Sequence, residues 1–317
     1  MTGPDRARAR AFAVTCLILL ALLGSAIHGF AAEQPGDRPP TPCAQCPASA
    51  PDRDETMGRS GPSLAPSAVK SWHYQLQNID PGAIAASSAD MAVIDYGGEE
   101  RPFTKDEVDA MHHKPDGSRR IVLAYMSIGE AENYRWYWPL RSRAWLGRED
   151  PEWPGNYNVR FWHPDWQAIV FQYVDTIIAA GFDGVYLDRV DAFETMGHRD
   201  DMVELVNRVS QRAKSKRADS LVVSQNGDAL IPDPKFRRAI DAFAREDLFY
   251  GENTDGERNL ADGIRRNIGR LKMLAAEGKP VFVVEYPRDD DQARTVWREI
   301  NAESFIGLLA NRALDGR

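Results

Sequence analysis

Cysteine is nearly absent. The chain has three, Cys16, Cys43 and Cys46, all within its first 46 residues, so everything downstream must fold without disulfides and be held by core burial. Cys43 and Cys46 form a C-x-x-C, but no βαβ setting surrounds the motif to tune a thiol, and zinc would need two further ligands that are not nearby; a local disulfide or an inert pair fits. Histidine is sparse too. The six residues, His28, His73, His112, His113, His163 and His198, scatter with neither H-x-H nor H-E-x-x-H. That pattern speaks against metal-assisted hydrolysis, and no metal or organic cofactor is expected. Phosphate loops of the G-x-G-x-x-G and G-x-x-x-x-G-K-[ST] types are missing, as is the G-x-S-x-G elbow of serine hydrolases. Ser127 has no evident histidine partner. A net charge of −8 argues against a nucleic-acid partner.

Long apolar runs are missing as well, save one at the start. Arg6, Arg8 and Arg10 precede an apolar run over residues 11–23, followed by small residues. A basic start, a short greasy middle and a small-residue exit describe a signal peptide, residues 1–32, with cuts fitting after Ala26 or Ala31. The alternative is an uncleaved anchor, the one case in which a membrane is involved. Residues 33–67 are rich in Pro, Ser, Ala, Gly and Asp without periodicity, and read as a disordered linker. The protein is therefore expected to be secreted, periplasmic or held at the cell surface, and to act as a monomer.

From residue 68 to 317 the pattern alternates. Short β-rich apolar runs at 72–76, 91–94, 121–126, 185–187, 221–223, 242–244, 281–284 and 305–309 read as strands. Between them lie helical segments at 104–113, 164–180, 201–216, 234–239, 260–276 and 291–302. Thr104 and Glu107 make a capping box, and Gly181 and Gly278 stand at helix ends. Eight strands alternating with helices over about 250 residues fit a single-domain (β/α)8 TIM barrel. The alternative, a doubly wound open sheet, would usually bring a glycine-rich phosphate turn.

A barrel gathers its chemistry just after its strands. Gln75 follows the first, Asp95 and Tyr96 the second, Ser127 and Glu130 the third. Asp188 and Asp191 follow the fourth, Gln225 and Asn226 the fifth, Glu246 and Asp247 the sixth, Glu285 and Tyr286 the seventh. Strand starts are ordinary: Ser71, Arg120, Gly184 and Pro280. With metal, serine and nucleotide chemistry lacking their signatures, several carboxylates in one pocket point to glycoside hydrolysis. That reaction needs one ionised carboxylate and one carboxyl able to give up a proton. Between residues 134 and 166 a long loop carries Trp136, Trp138, Trp145, Trp153, Trp162 and Trp166, six of the eight tryptophans. Half of them are expected to staple the loop to the barrel, and one or two to line a cleft as flat faces for sugar rings. Trp136 is the candidate.

Five stretches carry a family resemblance: Ala124-Tyr125-Met126-Ser127-Ile128-Gly129-Glu130-Ala131-Glu132-Asn133-Tyr134-Arg135, Trp162-His163-Pro164-Asp165-Trp166, Gly181-Phe182-Asp183-Gly184-Val185-Tyr186-Leu187-Asp188, Ser224-Gln225-Asn226-Gly227 and Arg245-Glu246-Asp247-Leu248-Phe249-Tyr250. Together they resemble glycoside-hydrolase family 114, secreted TIM barrels typified by endo-α-1,4-polygalactosaminidase. The likeness runs from about Trp72 to the C-terminus. It implies retaining, endo-acting cleavage of α-1,4-linked galactosamine polymers, with Asp188 and Glu246 as the catalytic acids. By analogy with α-retaining barrels, Asp188 is the nucleophile and Glu246 the acid/base; the reverse assignment stays open. The residues alone would also have admitted Glu285 and Glu130. Asp95, Tyr125, Glu130, Trp136, Asp191, Gln225, Asn226, Asp247, Glu285 and Tyr286 are expected to bind the sugar or tune the pair. The partner implied is a cationic amino-sugar polymer, which suits an acidic cleft. Two competing readings are a non-catalytic carbohydrate-binding barrel and a hydrolase of a different amino-sugar glycan.

Overall fold

A computed structural model of the chain describes residues 65–98 and 100–316. The expected signal peptide, nearly all of the linker and all three cysteines lie outside the described residues. Eight parallel strands form one sheet: β1 (Trp72–Gln75), β2 (Met91–Ile94), β3 (Ile121–Ser127), β7 (Gly184–Asp188), β8 (Leu221–Gln225), β9 (Ala242–Glu246), β10 (Val281–Glu285) and β11 (Ile306–Leu309), neighbours in that order. The remaining three, β4 (Glu130–Glu132), β5 (Leu146–Glu149) and β6 (Asn156–Val159), make a small antiparallel sheet inside the aromatic loop. The ends of the large sheet meet where Trp72 Nε1 donates to Ile306 O at 3.2 Å. With helices between the strands, this is a nearly closed (β/α)8 TIM barrel.

The helices are α1 (Pro81–Ala86), α2 (Lys105–His112), α3 (Pro164–Ala179), α4 (Phe193–Met196), α5 (Arg199–Lys216), α6 (Pro234–Ala239), α7 (Ala261–Ala276) and α8 (Asp290–Ala302). Local chemistry sets their bounds. The Thr104–Glu107 capping box opens α2 with both reciprocal bonds made. His163 caps α3 and Pro164 supplies its first turn. Just past α3, Gly181 takes φ +101°, a region costly to other residues. The apolar face of α3, Trp166, Ile169, Val170, Tyr173, Val174 and Ile177, is buried, each large side chain contributing about 1.5–3 kcal/mol.

Strand alternation divides the core into two layers. Trp72, Tyr74, Met91, Val93, Leu123, Tyr125, Tyr186, Val223, Ala244, Phe282 and Val284 fill the barrel interior. Their sequence neighbours Ala92, Ile94, Val122, Ala124, Val185, Leu187, Val222, Phe243 and Val283 pack against the helices. The period of two is the pleat itself, and it also sorts the polar residues at the strand ends.

The 181–188 stretch shows both ends of a strand at work. Asp183, at the start, is buried and takes a bidentate bond from Arg119 (2.7 and 3.0 Å) and one from Val122 N (2.9 Å). A Cβ on Gly184 would lie 1.9 Å from Leu221 O, so only glycine allows β7 and β8 to approach this closely. These serve stability; Asp188 lies at the opposite, carboxyl end of the strand, the rim where barrels of this kind place their chemistry.

Candidate active site

Asp188, Gln225 and Glu246 end three adjacent strands, β7, β8 and β9, and each continues the inward-facing series of its strand. Tyr125 on β3 and Tyr286 just after β10 flank them with the same parity. The five form one hydrogen-bonded arc along the carboxyl rim. Tyr125 OH donates to Asp188 Oδ2 at 2.7 Å. Gln225 Nε2 donates both to Asp188 Oδ1 at 3.2 Å and to Glu246 Oε2 at 3.1 Å. Tyr286 OH donates to Glu246 Oε1. Of the two ends of this amide only the NH2 can donate to two carboxylates, which fixes the orientation of Gln225.

The environment pushes both acids upward. Burial raises Asp188 to about 6, helped by the Asp191 charge and opposed by the bond from Tyr125. Burial raises Glu246 to about 7, helped by the Asp188 charge and opposed by Tyr286. Near neutrality the pair can therefore hold one proton between its two members, the protonation state two-carboxylate catalysis requires. Among the described residues no group of three or more His, Cys, Asp or Glu could hold a metal ion.

The other expected site residues take different places. Asp191 lies one turn beyond Asp188, near enough for its charge to be felt there. Glu130 is buried at the start of β4 and pairs with Arg189 Nη2 at 2.8 Å. Burial raises it to about 7 against the pull of that guanidinium. Asp95 has inward parity but is held by Arg135 Nη1 at 2.7 Å. Asn226 and Asp247 have the opposite parity and positive φ, 56° and 54°. The Asn226 side-chain oxygen accepts from Glu246 N and Arg245 Nη1, both at 3.1 Å, and Asp247 is clamped by Arg312 at 2.9 and 3.0 Å. Glu285, 1% exposed, also has outward parity. Its two oxygens accept from Phe249 N (2.7 Å) and Tyr250 N (3.3 Å), bracing the turn after Glu246.

The aromatic loop divides. Trp145 and Trp166 are buried against each other at 5.0 Å, and Trp166 Nε1 donates to Ile128 O at 2.8 Å. Trp138 packs on Tyr157 and Trp162 stacks on His198. Trp136 is 39% exposed and edge-on to Tyr137 and Tyr173, while Trp153 is exposed. Several residues around the arc have no counterpart among the sequence candidates. Tyr74 and Tyr186, in ring contact at 5.2 Å, underlie the pair. Arg189, Arg245, Arg312 and Arg135 are the cations that occupy the neighbouring acids. Strand parity would have pointed to Tyr186, two residues before Asp188; nothing local marks the arginines.

Residues 54–317 match the family model of glycoside-hydrolase family GH114. The MJ1477 protein of Methanocaldococcus jannaschii is 38% identical over 264 residues, 77% of this chain and 72% of that one. A Deinococcus radiodurans protein is 33% identical over 275 residues, 82% of this chain and 87% of its own. Among solved structures, the galactosamine complex of Ega3 from Aspergillus fumigatus shares the fold with a TM-score of 0.64 at 19% identity, over 82% of this chain and 98% of that one. The glycoside hydrolase domain of PelA from Pseudomonas aeruginosa does so with a TM-score of 0.64 at 18% identity, over 78% and 96%. The chain belongs to glycoside-hydrolase family GH114 and is a glycosidase.

Proposed function

We propose that this glycosidase cleaves internal α-1,4 bonds of galactosamine-type polymers with retention, Asp188 acting as nucleophile and Glu246 as acid/base. The observation that carries the reading is the Gln225 bridge. Its two bonds laid end to end hold the bridged Asp188 and Glu246 oxygens within about 6.3 Å of each other, compatible with the roughly 5–5.5 Å separation of retaining enzymes and short of the about 6.5–9.5 Å that leaves room for an attacking water. In the first step an Asp188 oxygen bonds to the anomeric carbon as the glycosidic C–O bond breaks, and Glu246 gives its proton to the leaving oxygen. In the second, Glu246 takes a proton from water, whose oxygen displaces Asp188 and restores the starting configuration.

The choice of sugar is supported by the bound galactosamine of the Ega3 structure and by an acidic rim suited to ammonium groups. The basic and apolar start of the chain supports action outside the cytoplasm, and among the described residues no helix is long and apolar enough to cross a membrane. The test uses partly deacetylated α-1,4-galactosamine polymer. Wild type should release reducing ends whose first-formed anomer, read by NMR, is α. Asp188→Asn should release none while keeping its circular dichroism spectrum. A β anomer would reject retention, and full activity in Asp188→Asn would reject the assignment of the pair.

A further inference from the structure

Tyr134, in the turn after β4, is unusual among the aromatic residues of this loop. The residue is 65% exposed, yet its side chain is fastened on two sides. Its hydroxyl donates to Glu132 Oε1 at 2.5 Å. Its inner face covers the Arg135 guanidinium, whose carbon lies 4.8 Å from the ring centre. Both partners are buried and bonded to each other, Arg135 Nε to Glu132 Oε2 at 2.7 Å. Arg135 is tied in turn to Asp95 beyond β2 and to Tyr173 OH at 3.1 Å on α3. The guanidinium thus covers one face of an otherwise exposed residue, and the hydroxyl bond holds the ring in place.

The clamp also sits beside the arc. Glu132 lies five residues past Ser127, where β3 ends, and Asp95 follows β2, so Tyr134 stands over the β2–β3 sector of the carboxyl rim. Tyr125, which holds Asp188, has its hydroxyl pKa raised by burial first, then by the charges of Asp188 and Glu132, with Tyr134 also contributing.

We propose that Tyr134 is a stacking platform for a sugar ring of the polymer, at a subsite flanking the Asp188–Glu246 pair on the β2–β3 side. This rests on the glycosidase reading above. A flat ring ordered before binding avoids the entropy cost of fixing it on contact. The guanidinium beneath already draws on the ring's π density, so the open face suits the C–H face of a pyranose better than an ammonium group. The platform therefore takes N-acetylated and free amino sugars alike.

The test measures binding and turnover separately in the full chain. In a Glu246→Gln background, α-1,4-galactosamine oligosaccharides are titrated by calorimetry, with free and N-acetylated amines. Adding Tyr134→Ala should raise Kd about tenfold for both forms, the value of one aromatic contact, whereas Tyr134→Phe, which keeps the ring over Arg135, should raise it by no more than about threefold. With Glu246 intact, Tyr134→Ala should raise KM for the polymer while kcat holds. If wild type cleaves the polymer and Tyr134→Ala matches its Kd and KM, the platform is refuted and the enzyme reading stands. If wild type does not cleave the polymer and Glu246→Gln does not bind the oligosaccharides, both fall together.

Discussion

The bond from Tyr286 to Glu246 makes a sharp test of which acid does what. A hydroxyl donating to a carboxylate stabilises the charged form, so Tyr286→Phe must raise the Glu246 pKa above its value of about 7. A hydrogen bond to a charged group is worth about 1.5–3 kcal/mol, and 1.36 kcal/mol corresponds to one pKa unit, giving a rise of about one to two units. If Glu246 is the proton donor, the rate requires it protonated and Asp188 ionised. The basic limb of the kcat/KM profile then moves from about 7 to 8 or higher, while the acidic limb, set near 6 by Asp188, stays. The bell widens and its summit is kept. With the roles reversed, the same upper limb moves but the summit drops about tenfold or more, because the proton of the singly protonated pair is then held on the nucleophile. The assay is initial rate against pH for wild type and Tyr286→Phe on one oligosaccharide. A basic limb that stays in place or moves down would refute the claim that this bond tunes Glu246.

Three further outcomes follow from the same geometry. Gln225→Leu removes both amide bonds while keeping the bulk, and should lower kcat/KM by about ten- to a hundredfold through two lost charge-assisted contacts; steady-state kinetics on a soluble oligosaccharide checks this. Gly129→Ala would place a Cβ 2.2 Å from Arg189 O and 2.6 Å from Ala192 Cβ. Such overpacking should cost about 1–3 kcal/mol, lowering Tm by several degrees in a thermal melt. Glu246 is raised from 4.5 to about 7 in the folded chain, so the folded state binds this proton more tightly than the unfolded one. Its contribution, about 3 kcal/mol, is fully present below pH 4.5 and is lost as pH rises through 7. Tm should therefore fall between pH 5 and 8, and fall less in Glu246→Gln; equal slopes in the two proteins would contradict the shift.

How legible was all this in the chain? The barrel was, because buried parallel strands and amphipathic helices each leave a periodic signal, and observed strands lie within a residue or two of those expected. The small sheet of the aromatic loop leaves no such signal. Its strands have three or four residues, and β5, from Leu146 to Glu149, is largely exposed, so no alternation marks it. Helix α1 leaves only its start signals, Asp80 and Pro81; six residues are too few to show a face.

The residues that gather at the carboxyl rim were legible in the sequence; which of them are bonded to arginines was not. Collecting every acid and amide after a strand put Glu285 and Asn226 on a par with Glu246 and Gln225, yet alternation already separates them. Residues 242, 244 and 246 share the inward face, as do 221, 223 and 225, while Glu285 falls on the side of Val281 and Val283, toward the helices. Parity has its own limit, and Asp95 shows it. It continues the inward series of Met91 and Val93, but its carboxylate is taken by Arg135 from a loop 40 residues on. The same arginine anchors Tyr134. Which acids face the substrate bare is thus decided by where distant arginines land. In this barrel Arg135, Arg189 and Arg312 spend their side-chain bonds on Asp95, Glu130 and Asp247, and the side-chain hydrogen bonds to the Asp188–Glu246 pair come from neutral groups, Tyr125, Gln225 and Tyr286. Neutral donors hold carboxylates in place while favouring the charged form less than a guanidinium would, which is the freedom the proposed acid/base role of Glu246 requires.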